Sequence, residues 1–167
     1  SYCQRMQSGI GPSHGPTWSL DHTTLFMTDT AQRRVLAYDF DADKGTLGAP
    51  RTWLQLAAGE GRAQGLCTDA AGRIGMARSG AGFVSCHAPD TGEELLSISI
   101  PSKQVTACTF GGPDLRTLFI TSASQQTSAR ARQPPWAEGL KRREGKRMRG
   151  KRWFFTETGD YGRADGG

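Results

Sequence analysis

The chain has 167 residues, of which 36% are hydrophobic and 22% charged, and its formal net charge is +5. No apolar stretch approaches the roughly 18–20 residues that a membrane-spanning helix needs, so the sequence predicts no membrane partner. The basic excess lies in one region: residues 1–123 hold ten Lys/Arg and eleven Asp/Glu, whereas residues 124–167 hold eleven and five. Charge therefore gives no reason to expect nucleic acid as a partner of the first 123 residues.

Three related strand–turn–strand units follow one another along the chain. Residues 17–28, 64–77 and 105–122 each contain two β-prone runs joined by a polar turn, with Asp21, Asp69 and Asp114 in the turns. These aspartates are 48 and 45 residues apart. A period of roughly 40–50 residues made only of short strands is typical of propeller blades. The sequence thus predicts an all-β chain, a partial β-propeller of about two to three blades.

Further strands are predicted between these units, at 34–40, 51–56, 83–87 and 95–100. In the last of them Leu96, Ile98 and Ile100 alternate with residues predicted to face solvent. The acidic stretch 39–45 resembles a calcium loop, but its glycine comes one position late and Pro50 stands where a bidentate Glu belongs. It is interpreted as a hairpin turn in which Gly45 supplies a positive φ.

The cysteines at positions 3, 67, 86 and 108 include no Cys-x-x-Cys pair, which argues against a zinc ribbon or a thioredoxin-type motif. Cys67 and Cys108 lie in strand patterns and are predicted to be buried thiols rather than a disulfide. His22 and His87 fall in a turn and near a strand end, and are predicted to be solvated.

The chain changes character after residue 123, so residues 124–167 are predicted to form a disordered, basic tail. Eight of the twelve residues 141–152 are basic, and a lone aromatic cluster follows at 153–155. The run is interpreted as a solvated segment, a nuclear-import signal or a nucleic-acid patch. The first residues lack the apolar segment of a signal peptide. Cytoplasmic localisation is expected, or nuclear localisation through the basic run.

Several motifs, in order and spacing, resemble the regucalcin (senescence marker protein)/gluconolactonase family between residues 10 and 123. They are Trp18-Ser-Leu-Asp-His22, Tyr38-Asp-Phe-Asp41, Gly65-Leu-Cys-Thr-Asp-Ala-Ala-Gly72, Asp90-Thr-Gly92, Phe110-Gly-Gly-Pro-Asp114 and Leu118-Phe-Ile-Thr-Ser-Ala123. The resemblance implies about half of a six-bladed β-propeller that hydrolyses sugar lactones with a bound divalent metal, calcium or zinc. It divides the chain into a partial propeller at 1–123 and an unrelated tail at 124–167.

The resemblance also places a site at the mouth of the propeller channel. His14 and Gln64 each precede the first strand of a unit, and each is followed by a glycine. The family has Asn at the position of His14 and Asp at that of Gln64. Both are metal ligands there, and the Asp is the general base. A further acidic ligand comes from an early blade that this chain does not contain. His14 and Gln64 are therefore altered metal positions, and Gln64 is also the altered catalytic position.

These substitutions predict an impaired hydrolase whose partner, by resemblance, is a sugar lactone. Gln64 has no titratable group and cannot take a proton from water, and calcium prefers charged oxygens to an imidazole and an amide. The alternative is a non-enzymatic truncated isoform or degraded paralogue that acts through its basic tail. An open arc also leaves apolar faces bare, which predicts self-association.

Overall fold

Residues 3–123 and the strand at 152–158 are described in a computed structural model of the chain. The strands form three sheets in chain order. The first comprises β1 (Thr17–Trp18), β2 (Thr24–Asp29), β3 (Arg34–Asp41), β4 (Thr46–Leu47) and β5 (Arg51–Gln55). The second comprises β6 (Arg62–Thr68), β7 (Ile74–Ser79), β8 (Phe83–His87) and β9 (Glu94–Ser99). The third comprises β10 (Val105–Gly111), β11 (Thr117–Ala123) and β12 (Arg152–Thr158). Within this described part, no helix could cross a membrane.

Each sheet is built from neighbouring strands that pair in sequence order. The second sheet is an antiparallel meander from β6 to β9, and in the first sheet β3 pairs with both β4 and β5. Three such sheets, packed face to face in succession, are consecutive blades of a β-propeller. The predicted partial propeller is confirmed.

The turn aspartates shape the hairpins as predicted. Carboxylate oxygens of Asp21, Asp69 and Asp114 accept the backbone N–H two residues further on, at 3.1, 2.9 and 3.1 Å. The side chain thereby imitates a turn of the backbone. Gly45, between β3 and β4, has φ +63°, so this prediction is also confirmed.

Apolar layers between the sheets form the core. Val35 and Ala37 of β3 face the second sheet and meet Leu66, Ile74 and Met76 there. The next layer lies between the second and third sheets and is formed by Cys67, Ala77, Val84, Val105, Cys108, Leu118 and Ile120. Cys67 and Cys108 are thus buried as predicted. They are free thiols whose sulfurs are 3.6 Å apart.

The far face of the first sheet is not bare, contrary to expectation. Leu25, Leu36 and Tyr38 are buried there, and Ile10 from the segment before β1 packs against them. The segment covers this face because an apolar residue in it reaches back over β2 and β3. On the third sheet Phe119 is 36% exposed. Self-association stays a prediction, now confined to the surfaces away from Ile10.

Two further expectations are wrong in part. Residues 152–158, predicted as disordered tail, form β12, which pairs in parallel with β11. The segment is rich in β-prone residue types, and its backbone pairs with the edge of β11 that β10 leaves open. The rest of 124–167, including 141–151, lies outside the described residues. In β9, Leu96 is exposed, because this strand is the outermost in its sheet.

His87 is buried rather than solvated. Its Nδ1 lies 2.8 Å from the carbonyl oxygen of Gly92, and its Nε2 lies 2.9 Å from Ser85 Oγ. Trp53 of the first sheet stacks edge-on against the imidazole, with 5.9 Å between ring centroids. Burial lowers the pKa of His87, against the opposing influence of the Gly92 carbonyl and the carboxylate of Glu94.

Arg78 is a second buried polar residue of the same sheet. It is 2% exposed, and its guanidinium lies 5.0 Å above the Phe83 ring. Nε donates to the carbonyl oxygen of Glu60 at 2.9 Å, and one terminal nitrogen lies 3.7 Å from the carboxylate of Glu94. Arg78 thereby fixes the segment that leads into β6.

The innermost strands approach one another at small residues. A methyl group added to Gly15 would lie 3.1 Å from Gly65 Cα. One added to Gly65 would lie 2.8 Å from Ala107 Cβ. The Leu66 N–H also donates to the Gly15 carbonyl at 3.3 Å, which joins the first two sheets directly. Gly15, Gly65 and Ala107 are called the inner row below.

Replacing Gly65 by Ala is expected to lower the free energy of unfolding by about 1–3 kcal/mol, because the new methyl group meets the Cα and Cβ of Ala107, which cannot rotate away. Urea denaturation measures the loss. Gly48→Ala is the matched control, since its methyl group would lie 3.4 Å from the nearest atom, Asp39 Cβ. Equal midpoints for the two variants would contradict the packing described for the inner row.

The lowered pKa of His87 predicts a dependence of stability on pH. The unfolded chain binds the extra proton more readily, so the free energy of unfolding should fall as the pH drops below the ordinary histidine value of 6.5. Unfolding measured between pH 7.5 and pH 5 should show this fall in the wild type and in His22→Asn, which changes an exposed turn histidine. His87→Gln should lose it. An unchanged slope in His87→Gln would refute the assignment.

Candidate functional site

Three positions next to the inner row correspond to one another, and two of them were predicted as site residues from the sequence. His14, Gln64 and Thr106 each stand immediately before a member of this row, in three successive sheets. They are therefore equivalent positions at the entry of the three innermost strands. His14 and Gln64 were predicted as such a pair, and Thr106 was not.

His14 is held by its backbone rather than by its side chain. Its N–H donates to Thr28 Oγ1 at 2.9 Å, and its carbonyl accepts from the same hydroxyl at 2.9 Å. Thr28 itself is fully buried in β2, so it is a fixed anchor. The imidazole of His14 is exposed and remains accessible to a ligand.

Gln64 occupies a β-bulge. Ala63 pairs with Arg78 and Leu66 with Met76, so Gln64 and Gly65 together oppose a single residue of β7. A bulge of this kind re-aims a side chain relative to the regular alternation of the strand. Gln64 is half-buried there.

Thr106 stands at an irregularity of the same kind in β10, where Val105 pairs with Ser122 and Ala107 with Thr121. Its hydroxyl lies 2.8 Å from Thr121 Oγ1. A signal for it exists in the sequence: each unit begins with a polar residue followed by a small one, His-Gly, Gln-Gly and Thr-Ala. Alanine in place of glycine concealed the third instance.

The three equivalent positions offer no carboxylate: their side chains are an imidazole, an amide and a hydroxyl. Asp29, the residue after Thr28, is 1% exposed and accepts two hydrogen bonds from Arg34, at 3.1 and 3.0 Å. Its charge is therefore committed to that arginine.

This set of side chains does not suit a hard divalent cation. Calcium takes six to eight oxygen ligands, among which carboxylates supply the charge. In the described part of the chain, no group of three or more His, Cys, Asp or Glu side chains is arranged to hold a metal ion. The three side chains next to the inner row therefore do not fit calcium, one of the two metals that the resemblance implies.

The comparisons with known proteins agree with this fold. The family described as SMP-30/Gluconolactonase/LRE-like region matches residues 1–124. Regucalcin of Xenopus laevis is 38% identical over 111 residues, which are 66% of this chain and 37% of that protein. Pentonolactonase XacC of Haloferax volcanii is 32% identical over 118 residues, 71% of this chain and 40% of that protein.

Among solved structures, the calcium-binding protein regucalcin from Agrobacterium tumefaciens superposes with a TM-score of 0.70 at 29% identity. The match covers 75% of this chain and 42% of that one. The chain thus spans less than half the length of these relatives. Because the family match extends over residues 1–124, the chain belongs to the SMP-30/gluconolactonase family.

Proposed function

We propose that this chain is an impaired member of the metal-dependent sugar-lactone hydrolases, with turnover near background. The relatives support the reaction class, since one is named a pentonolactonase and another a calcium-binding protein. The observation that carries the impairment is Gln64, which stands at the bulge where the family resemblance expects a carboxylate.

Hydrolysis of a lactone requires a water molecule that loses a proton as it attacks the ring carbonyl. A positioned base accelerates such a step by about 10²–10⁴-fold. The amide of Gln64 does not accept that proton at neutral pH, although it can still orient a water molecule or a sugar hydroxyl through hydrogen bonds. His14 is exposed, with only its backbone anchored, so its imidazole is not held in a fixed orientation. Binding of a lactone is retained in this proposal, and efficient proton removal is not.

The alternative, a non-enzymatic role for the basic run, rests on sequence alone, because residues 141–151 lie outside the described part of the chain. Calorimetric titration with a sugar lactone separates the two proposals, because the impaired hydrolase retains lactone binding whereas a role of the basic run does not require it.

At saturating calcium or zinc, the chain should hydrolyse a sugar lactone at a rate close to the spontaneous rate. The physical reason is the missing carboxylate at position 64. The same metal and lactone without protein give the background. Metal-dependent turnover within the usual enzymatic range of about 1–10³ per second would overturn the proposed impairment.

Restoring the family residues tests whether the two positions face one site. The double variant His14→Asn/Gln64→Asp should bind calcium more tightly than the wild type in calorimetry, because it gains a charged oxygen ligand beside an amide oxygen. Little hydrolysis is expected, since the resemblance implies a further acidic ligand that positions 14 and 64 do not supply. His22→Asn/Gln32→Asp makes the same chemical change at exposed positions and should leave the affinity unchanged. Equal calcium affinities for both double variants would show that positions 14 and 64 do not converge.

A further inference from the structure

A polar cavity of about 330 Å³ lies where parts of all three sheets meet. Its walls include Arg33 from the β2–β3 turn, Arg62 at the start of β6 and Gln104 just before β10. Arg62 and Gln104 each precede an inner-row position by three residues, so the cavity lies near the same end of the innermost strands. Its volume is within the range of small-molecule sites.

The cavity carries positive charge without a matching acid. Arg33 and Arg62 both line it, and no Asp or Glu does. Four other arginines, at 34, 51, 73 and 78, form ion pairs with carboxylates. Among the described residues, Arg33 and Arg62 are in no such pair. Two guanidinium groups on one concave surface favour an anion, which each can bind through paired N–H donors.

Glu60 is adjacent in sequence to residues that line the cavity, but its carboxylate contacts other groups. Glu60 lies between two lining glycines, but one carboxylate oxygen accepts the Ala57 N–H at 2.6 Å. The other lies 3.9 Å from the guanidinium of buried Arg78. No ion pair joins this carboxylate to Arg33 or Arg62.

The uncharged side chains of the wall are also arranged as donors. Ser79 Oγ donates to Gln104 Oε1 at 2.8 Å. This bond occupies the amide oxygen of Gln104 and leaves its Nε2, which can only donate, for a ligand. The wall thus offers guanidinium and amide N–H groups, a combination suited to carboxylate or phosphate oxygens.

Two glycines of the cavity wall have a positive φ. Gly61 has φ +81°, and a methyl group there would lie 2.8 Å from the Ser79 carbonyl oxygen. Gly80, in the turn after β7, has φ +87°. Both backbone conformations disfavour any other residue, so these two positions of the wall favour glycine.

We propose that this cavity is a binding site for an anionic group, a carboxylate or a phosphate, carried by a small polyhydroxylated molecule such as a sugar acid or a sugar phosphate. The choice of a sugar rests on the proposed function, because opening a sugar lactone produces a hydroxy acid. The preference for an anion rests on Arg33, Arg62 and Gln104 alone. It stands even if the chain hydrolyses no lactone.

Calorimetric titration of the whole chain, without metal, tests the site. The probes are inorganic phosphate, gluconate, glucose 6-phosphate and, as the neutral comparison, glucose. Saturable binding of phosphate and of at least one of the two sugar anions is expected, with glucose much weaker. Whichever of gluconate or glucose 6-phosphate binds more tightly identifies the source of the anionic group.

The variant Arg33→Gln/Arg62→Gln should weaken anion binding by about tenfold or more, since it removes two charge-assisted contacts. Arg116→Gln, which removes a positive charge from an exposed turn, should leave the affinity unchanged. Circular dichroism shows whether the double variant retains its sheets. If it does not, Arg33→Lys/Arg62→Lys, which keeps the charge but loses the paired donors, replaces it and should also bind more weakly. Absent or unsaturable binding of all three anions, equal binding of glucose, or anion binding that survives the substitutions would overturn the site.

Discussion

The packing of successive sheets against one another depends on the apolar layers between them. Val35 and Met76 belong to the first layer, and each fully buried side chain of this size contributes about 1.5–3 kcal/mol relative to exposure. No single sheet has a core of its own, so the layers determine how the sheets lie relative to one another. The alignment of His14 with Gln64, and the meeting of three sheets around the cavity, both follow from that packing.

Burial of a cation in such a sheet carries a cost that has to be offset locally. Desolvation lowers the pKa of Arg78, and the carboxylates of Glu60 and Glu94 oppose that shift. Hydrogen bonds to the Glu60 carbonyl and Ser85, together with the Phe83 ring, surround the guanidinium with partners. The hydrogen bond to Glu60 joins the segment before β6 to β7, an inner strand of the same sheet. The backbone is thereby anchored at Glu60, two residues before Arg62.

Much of the fold could be predicted because its signals are local. Alternating apolar residues mark the strands, and Asp69 shapes its turn with atoms only a few residues away. The misses depended on distant contacts. His87 is buried because Trp53, which belongs to another sheet, covers it, and no pattern around residue 87 reports that. Of the site, His14 and Gln64 were predicted from their place before the first strand of a unit and from the family resemblance. The equivalence of Thr106 follows only from the packing of the sheets, which places Ala107 against Gly65.

The close packing at the inner row also affects the angle between neighbouring sheets. The angle between neighbouring sheets depends on how closely their inner ends approach compared with their outer ends. Gly15 and Gly65 let the inner ends come within the distance that a single added methyl group would fill. The sheets therefore diverge toward their outer ends, as blades do around a propeller axis, and a small number of sheets completes a circle. Larger residues along this line would make the wedges more nearly parallel, so the circle would need more sheets to close.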